Sequence, residues 1–255
     1  MKKGLKFRIT AGLVLVLLIG CMMCACTEAE EKVTPELNGG GETAEGTVEA
    51  PQAALEKAIE EGESRGLLVL INKENAVDAA YVPEDLKTVS YYAKDRSAAG
   101  RSMRQEACEA FNALSEGAAA EGYTIVVTTA YRSYDFQASL YNSYVKAHGQ
   151  AEADTFSAQP GKSEHQSGLS ADVSSPSVNY QLTRDYIDTE EGRWLNDNAW
   201  KYGFIIRFPE GKEDITGYIY EPWHIRYVGK DIARFIYDHQ LTLEEFIRDY
   251  VKGQQ

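Results

Sequence analysis

Apolar positions along this chain fall into two kinds of run, short stretches of strand length and longer stripes at helical spacing. Gly, Pro, Asn and Asp divide them. Residues 67–71 form an apolar run ended by Asn72, and residues 85–92 can hold another strand. Residues 102–120 read as a helix with Ser102 as N-cap and Gly122 closing it, its stripe running through Met103, Ala107, Phe111 and Leu114. Residues 123–129, Tyr-Thr-Ile-Val-Val-Thr-Thr, are rich in β-branched side chains and read as a strand. Ser133 caps a helix whose expected buried face is Phe136, Leu140 and Tyr144, ending near Gly149. A short strand over 169–173 carries Asp172, and a helix opened by Thr189 runs through Trp194 and Trp200 to Gly203. Two late strands (204–207 and 223–228) are followed by helices starting at Asp231 and Thr242. There is no internal repeat and no clean strand–helix–strand rhythm, so the predicted class is α+β, with a small antiparallel central sheet flanked by helices.

The first 52 residues follow another pattern. Lys2, Lys3, Lys6 and Arg8 precede an apolar stretch over 9–19 that is too short for a comfortable membrane span, which predicts a signal peptide over 1–20. Leu18-Ile19-Gly20-Cys21 resembles a bacterial lipobox, in which Cys21 is lipidated and becomes the first mature residue; an uncleaved anchor and ordinary secretory cleavage are the alternatives. Residues 21–52 are rich in Glu, Gly, Thr and Ala, with almost no large apolar side chains, and read as a flexible acidic linker. Such a coil would separate its ends by roughly 25–30 Å, or about 80 Å fully stretched. Residues 53–255 remain as the folded domain, with a short helix possible at its edge over 53–63.

At 255 residues the chain has room for one sizeable domain and its appendages. A net charge of −13 and a pI near 4.8 exclude the basic stripe of a nucleic-acid binder. Of the four cysteines, Cys21, Cys24 and Cys26 sit at the leader, leaving Cys108 alone in the body. A disulfide framework is therefore excluded, and Cys108 reads as a small buried hydrophobe.

Only four histidines are present, and two stand in dense polar and aromatic surroundings. In Ser163-Glu-His-Gln-Ser-Gly-Leu-Ser-Ala-Asp172, His165 and Asp172 are two metal-ligand types, with Gly168 between them to let the backbone turn. Glu221-Pro222-Trp223-His224 supplies a second imidazole and a nearby carboxylate. Two His and one Asp suffice for a catalytic zinc, with one position left open for water, and Glu221 is left over as a base. Each piece taken alone is weak, and an ordinary hydrogen-bonded histidine is the reading it favours. Pro222 drives Glu221 out of helical geometry, and residues three apart on a regular strand face opposite ways. A turn is therefore expected at Glu221-Pro222, with the strand starting near Trp223.

Ser163-x-His165-x-x-Gly168-x-x-x-Asp172, then Glu221-x-Trp223-His224, with Tyr131-Arg132-Ser133 upstream, resembles the VanY-type D-alanyl-D-alanine carboxypeptidases. These are zinc peptidases that share a fold with VanX and the Hedgehog signalling domain. The likeness runs from about Leu67 to Val228, through Trp194, Tyr202-Gly203-Phe204 and residues 217–220. It departs at Ser170 and Ala171, where the family usually shows Ala followed by Val. The resemblance implies a Hedgehog/DD-peptidase-like fold and Zn²⁺ on His165, Asp172 and His224. It makes Glu221 the base that takes the proton of the metal-activated water and passes it to the leaving amine, with a carboxylate merely orienting a His as the alternative. Arg132 would stabilise the oxyanion, its alternative being a surface ion pair with Asp135. Ser163 and Gln137 would hold substrate.

The implied function is removal of the C-terminal D-alanine from peptidoglycan stem peptides by an extracytoplasmic, membrane-anchored monomer facing the cell wall. LD-carboxypeptidase action on tetrapeptide stems, a zinc-bound recognition module without catalysis, and a structural lipoprotein are the alternatives. The choice between DD and LD bonds depends on pocket walls such as the loop over 174–188. The lipobox reading predicts that the wild-type chain partitions to the membrane and that Cys21→Ala releases it or stalls its processing. A mature N-terminus well downstream of Cys21 would indicate ordinary secretion instead.

Overall fold

The computed structural model describes residues 51–94 and 99–254. The expected signal peptide, Cys21 and the linker lie outside the described residues, except that 51 and 52 open helix α1 (Pro51–Ser64). A two-stranded ribbon, β1 (Leu86–Thr88) with β2 (Ser102–Arg104), leads into α2 (Gln105–Ala120). Then come β3 (Val126–Thr129), α3 (Tyr134–His148), α4 (Gln150–Phe156), β4 (Ser170–Ser174), α5 (Glu190–Asn198), β5 (Phe204–Ile206), α6 (Glu213–Thr216) and β6 (His224–Tyr227). Helices α7 (Lys230–His239) and α8 (Leu243–Phe246) follow. No described helix is long and apolar enough to cross a membrane.

The central sheet has the order β3-β4-β6-β5, antiparallel throughout. β4 reads Ser-Ala-Asp-Val-Ser and β6 reads His-Ile-Arg-Tyr, so both alternate polar with apolar side chains. Successive strand residues face opposite ways. The register pairs Ser170 with Arg226, Ala171 with Ile225 and Asp172 with His224, so like faces like across the ladder. One face, with Ala171, Val173, Ile225 and Tyr227, packs on Phe111 and Leu114 of α2 and on Phe204 in the main core. The other face keeps Ser170, Asp172, His224 and Arg226, all buried. A second core joins α1, α7 and α8 through Leu55, Ile59, Ile232, Ile236, Leu243 and Phe246, with Ile205 and Val228 from the sheet side.

Helix starts follow local chemistry. Ser133 caps α3, Thr189 caps α5, and Thr242 forms a reciprocal capping box with Glu245 at α8. Four expectations need correction. Residues 67–71 form no strand, because the carbonyls of Leu67 and Val69 accept hydrogen bonds from Nη2 of Arg226 instead of a neighbouring strand. Ser102 is not a helix cap, since residues 102–104 pair with β1 and α2 begins only at Gln105. The helix expected from Thr189 to Gly203 ends at Asn198 and continues as a 3₁₀ turn to Tyr202. The α3 stripe of Phe136, Leu140 and Tyr144 is not the core face; Gln137 and Tyr141 are buried, and Phe136 is 58% exposed.

Gly192, in the first turns of α5, lies against the backbone carbonyl of Tyr186, leaving no room for a Cβ. Gly192→Ala should therefore lower unfolding free energy by about 1–3 kcal/mol, the usual cost of overpacking, read by urea titration.

Candidate metal centre and active site

Asp172 and His224 meet because they are cross-strand partners, and His165 is delivered from a different direction. Residues Glu164–Ser167 form a 3₁₀ turn that Gly168 closes in the left-handed conformation (φ 70°), a geometry that favours glycine. The chain then enters β4 and comes back to the sheet beside its own turn. Glu221 is brought in by a turn over 221–224, closed by the His224 N–H donating to the Glu221 carbonyl at 3.1 Å. β6 starts at His224, one residue later than Trp223, so Glu221 and His224 share one side without being strand neighbours.

His165, Asp172 and His224 are all buried, and their ligand atoms lie within 4.8 Å of one another. Nε2 of His165 is 3.3 Å from Oδ2 of Asp172, and Nδ1 of His224 is 2.8 Å from Oδ1. Tetrahedral ligands at 2.0–2.2 Å from zinc stand roughly 3.3–3.6 Å apart, so this set needs only small adjustments to hold the ion. Both rings present the right nitrogen. Nδ1 of His165 is engaged by the Ala130 carbonyl at 2.7 Å, which fixes its proton there and leaves the lone pair of Nε2 for the centre. His224 turns Nδ1 inward, while its Nε2 is buried without a hydrogen bond and 3.8 Å from Oε2 of Glu164.

Burial, then the charge of Arg132, pushes His165 down to about 4, so it is neutral and ready to ligate. For His224 burial works downward too, but the hydrogen bond to Asp172 and the nearby carboxylates of Glu164 and Glu221 outweigh it and raise the ring to about 9. Ligation through Nδ1 would need that nitrogen unprotonated, so a metal would compete with the proton there. Glu221 is pushed up to about 8, first by burial and next, among the charges that raise it, by Asp172. A cation in the centre draws it back down. Oε2 of Glu221 lies 3.9 Å from Nδ1 of His224.

Arg132 follows β3 and lines the same cleft. Its Nη1 donates to Oε1 of Gln137 at 2.7 Å, and its Nη2 lies 3.6 Å from Oδ2 of Asp172. It faces the centre, not Asp135. Gln137 is 1% exposed and is spent on Arg132 and the Ala158 carbonyl, so it sits behind the guanidinium and does not line the cleft. Ser163 lines the cleft. So do Phe136, Leu140, Tyr144 and Phe156, making the displaced α3 stripe a cleft wall. The cleft holds about 550 Å³.

Two residues at the site had escaped the sequence reading. Lys162, beside Ser163, is the other cationic lining residue besides Arg132. Glu164, next to His165, is 4% exposed and accepts from Nε of Arg207 at 2.7 Å and Nη1 of Arg226 at 2.8 Å. Burial raises its pKa, yet the two guanidinium groups hold it well below the carboxylate range. No sequence signal marked Glu164 except its place beside a candidate ligand.

A buried His, Asp, His set with an unligated carboxylate beside it, on a small antiparallel sheet, defines a metallopeptidase of zinc type. A family model, VanY: D-alanyl-D-alanine carboxypeptidase, matches residues 100–230, and the chain belongs to that family. An Enterococcus faecalis D-alanyl-D-alanine carboxypeptidase is 32% identical over 246 residues, 92% of this chain and 85% of the relative. The structure of the LdcB LD-carboxypeptidase is 43% identical with a TM-score of 0.69, covering 71% of this chain and 86% of that one. A vancomycin-resistance D,D-pentapeptidase VanY, solved as a mutant with Zn(II), is 32% identical with a TM-score of 0.60, covering 71% and 98%. The chain is thus a zinc-dependent carboxypeptidase with the α+β fold of the VanY and VanX peptidases.

The folded chain should bind about one zinc per molecule, and His165→Ala or His224→Ala should lose both metal and activity. Metal analysis of pure, active wild type that finds no divalent ion would overturn this assignment.

Proposed function

We propose that this carboxypeptidase removes the C-terminal D-alanine from peptidoglycan stem peptides. The observation that carries the reading is the pair of groups beside the metal set that ligation does not use, Glu221 and Arg132. Zinc, when bound, supplies a Lewis acid that acidifies water and polarises the scissile carbonyl. Glu221 takes a proton from the attacking water and delivers it to the leaving amine as the C–N bond breaks, ending as the carboxylate it began as. The side chain of Arg132 is 12% exposed and is aimed at the centre, and it stabilises the oxyanion that forms on the carbonyl. Gln137 acts through Arg132, fixing the guanidinium by its amide oxygen. Ser163 and Lys162 hold the substrate, Lys162 supplying a cation for the terminal carboxylate that marks an exopeptidase substrate.

The bond preceding the released D-alanine divides two versions. The motif resemblance favours a D-Ala–D-Ala bond in pentapeptide stems. The greater likeness to LdcB favours the LD bond of tetrapeptide stems. Leu182, from the loop between β4 and α5, and Trp223 line the cleft and are the side chains through which the choice would be made. A recognition module that kept its metal but lost catalysis has no use for a buried Glu221 and an aimed Arg132. The place of work is outside the cytoplasm, and Cys21 with residues 21–52 provides the anchor and reach to the wall.

Glu221→Gln should leave zinc content unchanged and lower kcat by about 10²–10⁴-fold with substrate affinity roughly preserved. Arg132→Ala should lower kcat by about 10²–10³-fold without emptying the metal site. The assay is zinc stoichiometry together with single-turnover D-alanine release, by mass spectrometry of pentapeptide and tetrapeptide muropeptides. Loss of zinc from Glu221→Gln would make Glu221 a ligand; full activity would place the base elsewhere; no release from either stem would remove the substrate reading.

A further inference from the structure

Behind the metal centre, on the polar face of the sheet, lies a second cluster of charges that the reaction does not use. Glu164, Arg207 and Arg226 have side-chain exposures of 3%, 0% and 0%. Arg207 bridges the two carboxylates of the cluster, donating Nε to Glu164 at 2.7 Å, and Nη1 and Nη2 to Glu244 of α8 at 2.8 and 2.6 Å. Arg226 donates Nη1 to Glu164 at 2.8 Å and Nη2 to the carbonyls of Leu67 and Val69. Two positive and two negative groups balance. Their anchors reach beyond residues 100–230, to Leu67 and Val69 on one side and Glu244 on the other.

The two arginines share one oxygen of Glu164, Oε1, and leave Oε2 turned toward the metal centre. Ser170 donates to Oε2 at 3.1 Å. The next group along is Nε2 of His224, at 3.8 Å, a buried nitrogen with no hydrogen-bond partner. A ligating imidazole needs its outer nitrogen protonated and directed at an acceptor, which sets both tautomer and ring angle. His165 meets this need with the Ala130 carbonyl. For His224 the carboxylate oxygen stands in the matching place, on the side of the ring away from Asp172.

We propose that Glu164 is the positioning residue of the metal centre: clamped by Arg207 and Arg226, it presents Oε2 to Nε2 of His224 and holds that ring with Nδ1 toward the metal. The role explains why both arginines grip the carboxylate through Oε1, since an arginine on each oxygen would leave His224 without a free acceptor. From 3.8 Å, a ring shift of less than about 1 Å would bring the pair to an ordinary N–H···O length.

The test uses the full chain and reads zinc affinity by chelator competition and the visible absorption of the cobalt-substituted protein. Glu164→Gln keeps the shape of the side chain and should weaken zinc binding about 10–100-fold and alter the cobalt spectrum. Ser170→Ala, which frees Oε2 on its other side, should shift both readouts in the same direction by a few-fold. Glu244→Gln loosens Arg207 without touching the Oε2 contact; it should lower Tm while zinc affinity and the cobalt spectrum stay within about two-fold of wild type. Glu164→Gln binding zinc as wild type does, or Glu244→Gln weakening it equally, would overturn the proposal. If Glu164→Gln does not fold, Ser170→Ala and the imidazole nitrogen spectrum of the zinc-loaded wild type decide, an Nε2-protonated His224 upholding the proposal and an Nδ1-protonated one sinking it. The inference rests on the zinc site: a wild type that binds no zinc defeats that site itself, whereas normal wild-type zinc with unaffected variants defeats only the role of Glu164.

Discussion

The antiparallel register between β4 and β6 sets Asp172 opposite His224, and everything at the site is arranged around that pairing. Side chains alternate with period two, so a slip of one residue would send Asp172 into the apolar core and bring Val173 or Ala171 to the metal. The register is protected from both sides. Ala171 against Ile225, and Val173 beneath the turn at Trp223, bury apolar surface only in this alignment. Thr128 adds a hydroxyl that donates to the Asp172 carbonyl at 3.0 Å, pinning β4 from the β3 edge. The core face therefore positions the ligands even though no core side chain touches the metal.

Concentrating so much charge on a buried face needs a device to offset desolvation, because ions removed from water are costly unless paired. Two devices operate here. In the Glu164 cluster, charges are matched one against one by arginines. At the metal centre, the carboxyl groups of Asp172 and Glu221 face Arg132 and His224. A divalent ion held by His165, Asp172 and His224 would add positive charge there, so metal binding and the ionisation of Glu221 would be coupled. The fold thus stores a site whose electrostatic balance is completed by the ion.

Much of this was legible in the residues. Strand β3 shows its β-branched run, the caps at Ser133, Thr189 and Thr242 mark helix starts, and Pro222 forces the turn that sets Glu221 beside His224. The ligand triplet was visible from residue type and spacing together. Glu164 was not, because its meaning lies in Arg207 and Arg226, 43 and 62 residues further on, and a Glu in a polar loop looks like solvated surface. The same distance effect hid the role of residues 67–71. Five apolar residues in a row signal burial, but whether their carbonyls meet a strand or a guanidinium is decided 159 residues away. Gln137 shows the same limit: helix position alone does not tell a side chain facing the cleft from one lodged behind Arg132.

The misread face of α3 shows why periodicity marks burial and not its purpose. Phe136, Leu140 and Tyr144 recur at helical spacing, as core residues do, yet they line one wall of the cleft together with Phe156. An apolar wall beside an ionic centre has a direct physical consequence. It removes water from one side of the site, which lowers the local dielectric and strengthens every charge interaction within it. Burial is the first cause of the raised pKa of Glu221, and that carboxylate lines the same cleft. The wall that looked like core therefore does two things: it leaves an apolar surface open to the cleft, and it helps keep Glu221 desolvated, which holds its pKa up.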